Sequence, residues 1–150
     1  MVTYDAKDKI LFSADGFGRF GTPDSDQAWD DEARRYYIGI VGKYGAPVQT
    51  LLKKAAGLQI RTICPLHGPI LNGDLTPYLQ KYQTWSSYQP EESGVLVAYA
   101  SIHGNTAKAA EFLSEQLWEL GEQVTVLDLT RCDMSDAVQA AFRYDRMVLA

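Results

Sequence analysis

Cysteine and histidine are the scarcest chemically reactive side chains in this sequence of 150 residues, with two of each. The cysteines, Cys64 and Cys132, are too far apart in sequence to form a CxxC motif, so we expect neither a disulfide framework nor a cysteine-rich metal site. Unpaired cysteines of this kind are typical of a reducing compartment, and we therefore expect a cytoplasmic protein.

Long apolar runs and an excess of positive charge are also absent. No stretch approaches the roughly 20 apolar residues that a membrane span needs, and residues 1–16 lack a basic head followed by an apolar run. There are 14 basic residues against 19 acidic ones, which gives a net charge of -5. We therefore expect no membrane span and neither nucleic acid nor an anionic membrane as a partner.

The first 88 residues contain both strand-like and helix-like segments, delimited by glycine, proline and apolar periodicity. The predicted elements are a strand at 8–15, a helix at 25–44 with Ser25 as its N-cap, a helix at 47–56, a strand at 60–64 and a helix at 76–87. Tyr78, Tyr82, Trp85 and Tyr88 recur at helical spacing, and we expect them to pack between the two domains rather than to carry electrons.

A polar stretch, QPEESG at 89–94, is the predicted linker. Beyond it the pattern becomes regular: strands at 95–100, 123–129 and 145–150 alternate with helices at 105–120 and 135–142. Such alternation predicts a parallel sheet with crossover helices. We therefore divide the α/β chain into a first domain at 1–88, the linker, and a second domain at 95–150.

The segment SIHGNT at 101–106 follows a buried strand and opens a helix. Backbone N–H groups and the positive end of the helix dipole favour an anion there, and Gly104 allows close approach of the backbone. Neither the Walker pattern GxxxxGK[ST] nor the dinucleotide pattern GxGxxG is present. The loop therefore predicts a site for a monophosphate ester, with FMN as the leading candidate.

The same loop resembles the first loop of flavodoxins, in which Ser or Thr and two variable residues precede Gly-Asn-Thr. The resemblance implies that the FMN phosphate is surrounded by Ser101, Ile102, His103, Gly104, Asn105 and Thr106. We expect His103 to lie beside the phosphate or the flavin edge rather than to act in catalysis.

Two earlier segments each place one possible metal ligand after a predicted strand: SADGFGRFG contains Asp15, and PLHGPI contains His67. They resemble, in this order, the late motifs of flavodiiron proteins. The resemblance implies that Asp15 bridges two iron ions and that His67 is a terminal ligand. The implied fold is the C-terminal part of a metallo-β-lactamase-like αββα domain, followed by the first half of a flavodoxin-like doubly wound parallel sheet.

In a complete family member, the resemblance implies that electrons pass from a rubredoxin-like donor, or an NADH-linked flavin reductase, through FMN to the diiron site. That site reduces O2 to water or NO to N2O, in a head-to-tail homodimer. A diiron site uses about six or seven histidine and carboxylate ligands, and the family's HxExDH-like motif is absent here. We therefore expect an incomplete metal site, a chain shortened at both ends, and no activity of this chain alone.

Three other interpretations stay open at this point. A flavodoxin-type electron carrier without a metal site predicts that Asp15 and His67 do not approach each other. A zinc hydrolase of the metallo-β-lactamase fold shares the late aspartate and histidine but leaves the second domain unexplained. A folded interaction module would bind neither cofactor.

Overall fold

The computed structural model describes residues 1–23 and 28–150, which divide into two compact units, Met1–Gln89 and Pro90–Ala150. The elements of the first unit are β1 (Thr3–Asp5), β2 (Ile10–Ala14), α1 (Trp29–Tyr36), α2 (Gly45–Ala55), β3 (Thr62–Pro65), β4 (Leu71–Asn72) and α3 (Thr76–Ser86). Its strands lie in the order β1-β2-β3-β4, with β2 and β3 parallel and the outer pairs antiparallel.

One face of this sheet is covered by the helices. Leu11 and Ser13 of β2 are buried, whereas Phe12 between them is 47% exposed, because successive strand residues point to opposite faces. The covered face contributes to a core that contains Leu11, Ile63, Leu71, Tyr37, Val48, Tyr82 and Trp85. Our expectation that Tyr82 and Trp85 pack between the two domains was wrong. Both are core residues of the first unit, where Tyr82 stacks on Phe17.

The predicted helix at 25–44 is confirmed only in part. Its proposed N-cap, Ser25, lies outside the described residues. The α-helix ends at Tyr36 and continues as a π-helical turn over Tyr37–Val41 and a 3₁₀ turn over Gly42–Tyr44. A π-helical turn holds more residues than an α-helical one and shifts the register of the side chains, which apolar periodicity does not reveal.

The second unit confirms the predicted alternation of strands and helices. Its elements are β5 (Glu92–Tyr99), α4 (Asn105–Glu119), β6 (Val124–Asp128), α5 (Met134–Arg143) and β7 (Tyr144–Leu149). The three strands are parallel and lie in the order β6-β5-β7, so β5 is central. The second crossover therefore passes from one side of β5 to the other.

Both faces of β5 are covered. Val95 and Val97 pack in a cluster with Ala110 of α4, whereas Leu96 and Ala98 pack in a separate cluster that includes α5. A strand that is covered by helices on both faces has apolar residues at successive positions, which explains why residues 95–100 do not alternate between apolar and polar residues.

β5 begins at Glu92, three residues before the predicted strand at 95–100. Glu92 pairs with Tyr144 of β7, and its carboxylate lies 3.0 Å from the guanidinium of Arg143. The N–H of Gly94 donates a hydrogen bond of 2.8 Å to the carboxylate of Asp145. Residues 92–94 thus contribute to the pairing of β5 with β7. Within the described ranges, no helix is both long enough and apolar enough to cross a bilayer.

Candidate functional site

Asp15 and His67 follow neighbouring strands at the same edge of the first sheet. β2 and β3 are parallel, and Ala14 pairs with Pro65 at their carboxyl ends. The N–H of Leu66 donates a hydrogen bond of 2.9 Å to the carbonyl of Ala14, immediately before Asp15. The structure therefore brings together the two loops that carry the predicted metal ligands, although Asp15 and His67 are 52 positions apart in sequence.

The loop after β2 is a tight turn that leaves no room beside Gly18. The Ser13 hydroxyl donates a hydrogen bond of 2.6 Å to the carbonyl of Gly16 and closes the turn. A Cβ at Gly18 would lie 3.0 Å from the ring of Tyr36 and 3.2 Å from the carbonyl of His67. The glycines of the GFGRFG segment thus let the two loops and a helix approach one another closely.

Tyr36, at the end of α1, joins the two loops and was not predicted as a site residue. Its hydroxyl donates a hydrogen bond of 3.2 Å to Oδ1 of Asp15, and its ring centroid lies 5.7 Å from that of His67. Burial, reinforced by the negative charge of Asp15 and by this hydrogen bond, raises the pKa of Tyr36 to about 12. Tyr36 is therefore a neutral hydrogen-bond donor at physiological pH. In the sequence, Tyr36 recurs at helical spacing with Trp29, Ala33 and Ile40, which indicates an apolar helix face but not a polar partner.

A cavity of about 260 Å³ lies beside His67 and is also lined by Arg19, Phe20 and Tyr36. Asp15 does not line it, although Tyr36 contacts both residues. In residues 1–23 and 28–150, no group of three or more His, Cys, Asp or Glu side chains could hold a metal ion. Carboxylate and imidazole are suitable ligands for iron. The described residues, however, include too few such ligands to form a closed diiron site.

The loop before α4 has the backbone geometry of an anion site. Gly104 precedes the helix with φ 81° and ψ -7°, in the left-handed region. The first helical hydrogen bond runs from the N–H of Lys108 to the carbonyl of Gly104, at 3.1 Å, and no side chain caps the helix. The N–H groups of Asn105, Thr106 and Ala107 therefore have no partner within the helix.

The side chains of this loop are available to a ligand. The structure gives Ser101, His103, Asn105 and Thr106 no side-chain hydrogen bond to any described residue. His103 and Asn105 are exposed, and Ile102 is 92% exposed. An added Cβ at Gly104 would meet no heavy atom within 4 Å, so the glycine keeps open space over the turn. Hydroxyl, amide and imidazole donors thus border the free backbone N–H groups.

The position of the loop within the second sheet suits a ligand as well. It follows β5, and the N–H of Ala100 donates a hydrogen bond of 2.9 Å to the carbonyl of Ala150, at the end of β7. β6 and β7 lie on opposite sides of β5, and α4 and α5 lie on opposite faces, so the strand order reverses at β5. In open α/β sheets, ligands bind outside the carboxyl ends of the strands at such a reversal of strand order.

Sequence comparison relates the chain to flavoproteins over nearly its whole length. It is 30% identical over 146 residues to diflavin flavoprotein A 3 of Synechocystis, covering 93% of this chain and 24% of that protein. None of the protein-family profiles compared with the chain matches it.

Two solved structures resemble the chain closely. The flavodiiron protein from Giardia intestinalis is 26% identical, with a TM-score of 0.90 over 99% of this chain and 38% of that one. Rubredoxin oxygen:oxidoreductase from Desulfovibrio gigas is 28% identical, with a TM-score of 0.85 over 99% of this chain and 40% of that one. The mixed α/β architecture thus matches these structures, and the chain spans about a quarter to two fifths of the relatives' lengths.

Proposed function

The chain belongs to the flavodiiron protein family, and from this premise we propose that it contains the FMN phosphate loop and two metal ligands of such an oxidoreductase. The loop is residues 101–106, and the ligands are Asp15 and His67. When bound in the complete protein, FMN and two iron ions would supply the electron transfer and the reduction of O2 or NO. The residues of this chain bind and orient those groups.

The observation that carries the proposal is the start of α4. Three N–H groups without helical partners, the left-handed Gly104, and the unpartnered side chains of Ser101, Asn105 and Thr106 surround one open turn. Such a set can donate several hydrogen bonds to the oxygens of a phosphate monoester. It does not require a lysine or a second glycine, and neither is present in the turn.

The strand order supports the assignment of the two units to domains. The order β6-β5-β7, with helices on both faces, corresponds to the first three strands of a flavodoxin-like sheet, whose order begins 2-1-3. In the first unit, a sheet covered by helices on one face agrees with half of a metallo-β-lactamase-like αββα sandwich. We assign residues 1–88 and 95–150 to these two domains, with the intervening residues 89–94 between them.

At the first site we assign distinct roles to three side chains. Asp15 would supply a carboxylate ligand and His67 an imidazole ligand, both of which suit iron. Tyr36 keeps its proton at neutral pH and orients the Asp15 carboxylate through their hydrogen bond. Because these ligands are too few, a closed diiron site needs side chains beyond those of the described residues.

We extend the proposal to the partners of the complete protein. The electron donor is a rubredoxin-like protein or an NADH-linked flavin reductase, and the assembly is a head-to-tail homodimer in the cytoplasm. A donor of this kind is named in the description of the Desulfovibrio gigas relative, rubredoxin oxygen:oxidoreductase. The excess of acidic over basic residues, 19 against 14, argues against nucleic acid or an anionic surface as a partner.

A comparison of FMN with riboflavin tests the proposal, because the two molecules differ by the phosphate. We expect the purified chain to quench FMN fluorescence on binding. Riboflavin should bind about tenfold more weakly for each charge-assisted hydrogen bond that it lacks. Equal affinity for the two flavins, or no binding of FMN, would contradict the phosphate loop.

A flavodoxin-type carrier without metal is the second candidate, favoured by the lack of a three-ligand group in the described ranges. Ferrous iron distinguishes the two, since a paramagnetic ion broadens nearby NMR signals even when it binds weakly. Under our proposal, iron broadens the signals of residues 14–16 and 66–68 together, and Asp15→Asn reduces the effect. Uniform broadening across the chain would favour the carrier.

A further inference from the structure

Four oxidisable aromatic rings follow one another through the core of the first unit, in the order Tyr82, Trp85, Trp29 and Tyr78. Their ring centroids are 5.4 Å, 5.8 Å and 4.8 Å apart in that order. These separations lie in the range of direct ring contact. Helical spacing within α3 gave no sign of this aromatic series, because Trp29 of α1 lies between Trp85 and Tyr78.

The inner end of the aromatic series lies against the loop that carries Asp15. The N–H of Phe17 donates a hydrogen bond to the hydroxyl of Tyr82, and the two rings stack at a centroid distance of 4.1 Å. Tyr82 is 2% exposed and Trp85 is 1% exposed. An oxidising species at this loop therefore meets a buried, oxidisable ring that is hydrogen-bonded two residues from Asp15.

The outer end of the series differs from its interior in how it can release a proton. In the described part of the chain, Nε1 of Trp29 and the buried hydroxyl of Tyr37 have no hydrogen-bond partner, and the Tyr82 hydroxyl accepts a hydrogen bond but donates none. None of these groups has an acceptor for its proton. Tyr78 is only partly buried, so its hydroxyl can give a proton to water. A tyrosine forms a lasting radical only when it loses this proton, which favours Tyr78 as the final site.

We propose that the aromatic series carries one-electron oxidising equivalents from the interior beside the Asp15 loop to the surface at Tyr78. In each inner step, an electron moves from the outer ring to the oxidised inner ring and reduces it. In the last step, oxidised Trp29 takes an electron from Tyr78, and the phenolic proton of Tyr78 passes to water. A dissolved thiol can then reduce the Tyr78 radical.

The physiological oxidant rests on the proposed function. A site that reduces O2 can release partly reduced oxygen species, which are one-electron oxidants of aromatic side chains. The aromatic series would carry that oxidation away from the predicted metal ligands Asp15 and His67. The transfer between rings depends only on the core of the first unit and requires neither FMN nor iron.

Laser flash photolysis tests the transfer directly, because ultraviolet light ionises buried and exposed tryptophans alike and dissolved O2 captures the ejected electron. The third tryptophan, Trp118, lies in the second unit and is 53% exposed, so Trp118→Phe is the background for every measurement. We expect the absorption of the tryptophan radical to convert to that of a tyrosyl radical, at a rate independent of protein concentration. Decay without a tyrosyl product, or conversion only by collision between molecules, would overturn the proposal.

Matched variants trace the path. Tyr78→Phe keeps the ring but cannot form a tyrosyl radical, so it should abolish the tyrosyl signal and prolong the tryptophan radical. Tyr44→Phe alters an exposed tyrosine of the same unit outside the series and should change neither. Persistence of the tyrosyl signal in Tyr78→Phe would refute Tyr78 as the exit.

Trp29→Phe interrupts the series between Trp85 and Tyr78 and should also abolish the tyrosyl signal. Circular dichroism checks that the variant is folded, and an unchanged tyrosyl signal in the folded variant would refute the path. If Trp29→Phe does not fold, the more conservative Tyr78→Phe decides. FMN binding without radical transfer would refute the path alone, and radical transfer without FMN binding would refute the proposed function alone.

Discussion

Gly104 and Gly121 lie at opposite ends of α4 and offer a matched pair of substitutions. Their φ angles are 81° and 82°, both in the left-handed region. At neither position would an added Cβ meet a heavy atom within 4 Å beyond its immediate neighbours. Alanine should therefore disturb the two positions through backbone conformation alone. Only Gly104 lies in the proposed phosphate loop.

The expected magnitudes follow from this geometry. A left-handed alanine costs about 1 to 2 kcal/mol relative to glycine, so both variants should lose a similar free energy of unfolding. The methyl group at position 104 would also occupy the open turn beside the N–H groups of 105–107. Losing one charge-assisted hydrogen bond costs about 1.5 to 3 kcal/mol, which weakens FMN binding about ten- to a hundredfold.

The assay combines urea unfolding with FMN fluorescence titration of both variants and the unaltered chain. We expect equal losses of unfolding free energy but a loss of FMN affinity in Gly104→Ala only. Gly104→Asn, which tolerates the left-handed region better, should recover stability but not affinity. If the two alanine variants bound FMN equally, the turn before α4 would not hold the phosphate and our reasoning would be refuted.

Three tyrosines of the first unit give further predictions. Tyr37→Phe removes a buried hydroxyl that has no partner among the described residues, and it should raise the unfolding free energy in urea by about 1 kcal/mol. Tyr82→Phe leaves the N–H of Phe17 unpaired and should lower the same quantity by about 1 to 3 kcal/mol. Burial raises the pKa of Tyr37 to about 12, and burial with the charge of Asp15 does the same for Tyr36. Both phenols therefore ionise at a higher pH in the folded chain than in the unfolded chain, where their pKa is near 10. Stability should be constant up to about pH 10 and fall between about pH 10 and 12. Urea unfolding measured from pH 8 to 12 checks this prediction. The free energy of unfolding should fall less in Tyr37→Phe than in the unaltered chain. An equal fall in that variant would contradict the assignment of the effect to Tyr37.

Local sequence signals predicted the second unit well, because its strands and helices are marked by apolar runs and turn residues that are close in sequence. The apolar run at 95–100 becomes a strand with both faces covered, and Gly121 directly follows the end of the predicted helix. Gly104 was predicted to allow close approach of the backbone, and the structure places it in the left-handed region before a helix without a side-chain cap. The start of β5 was predicted three residues too late, because Glu92 is fixed by Arg143, a residue 51 positions away.

The first unit was harder to predict because its site depends on contacts that are distant in sequence. Asp15 and His67 were identified from motifs, but their adjacency depends on the parallel pairing of β2 and β3. Tyr36 was missed because helical spacing marks it as apolar, whereas its hydroxyl contacts Asp15. The change to a π-helical turn at Tyr37 and the short strand β1 likewise had no clear local signal.

Nitrogen-15 amide spectra of the chain, recorded during parallel titrations with FMN and riboflavin, test the central claim most directly. The account predicts that FMN shifts the amide signals of residues 101–107 first and most strongly, and that riboflavin leaves them nearly unchanged. Shifts caused equally by both flavins, or FMN shifts confined to amides outside this loop, would contradict the claim that the start of α4 binds the phosphate.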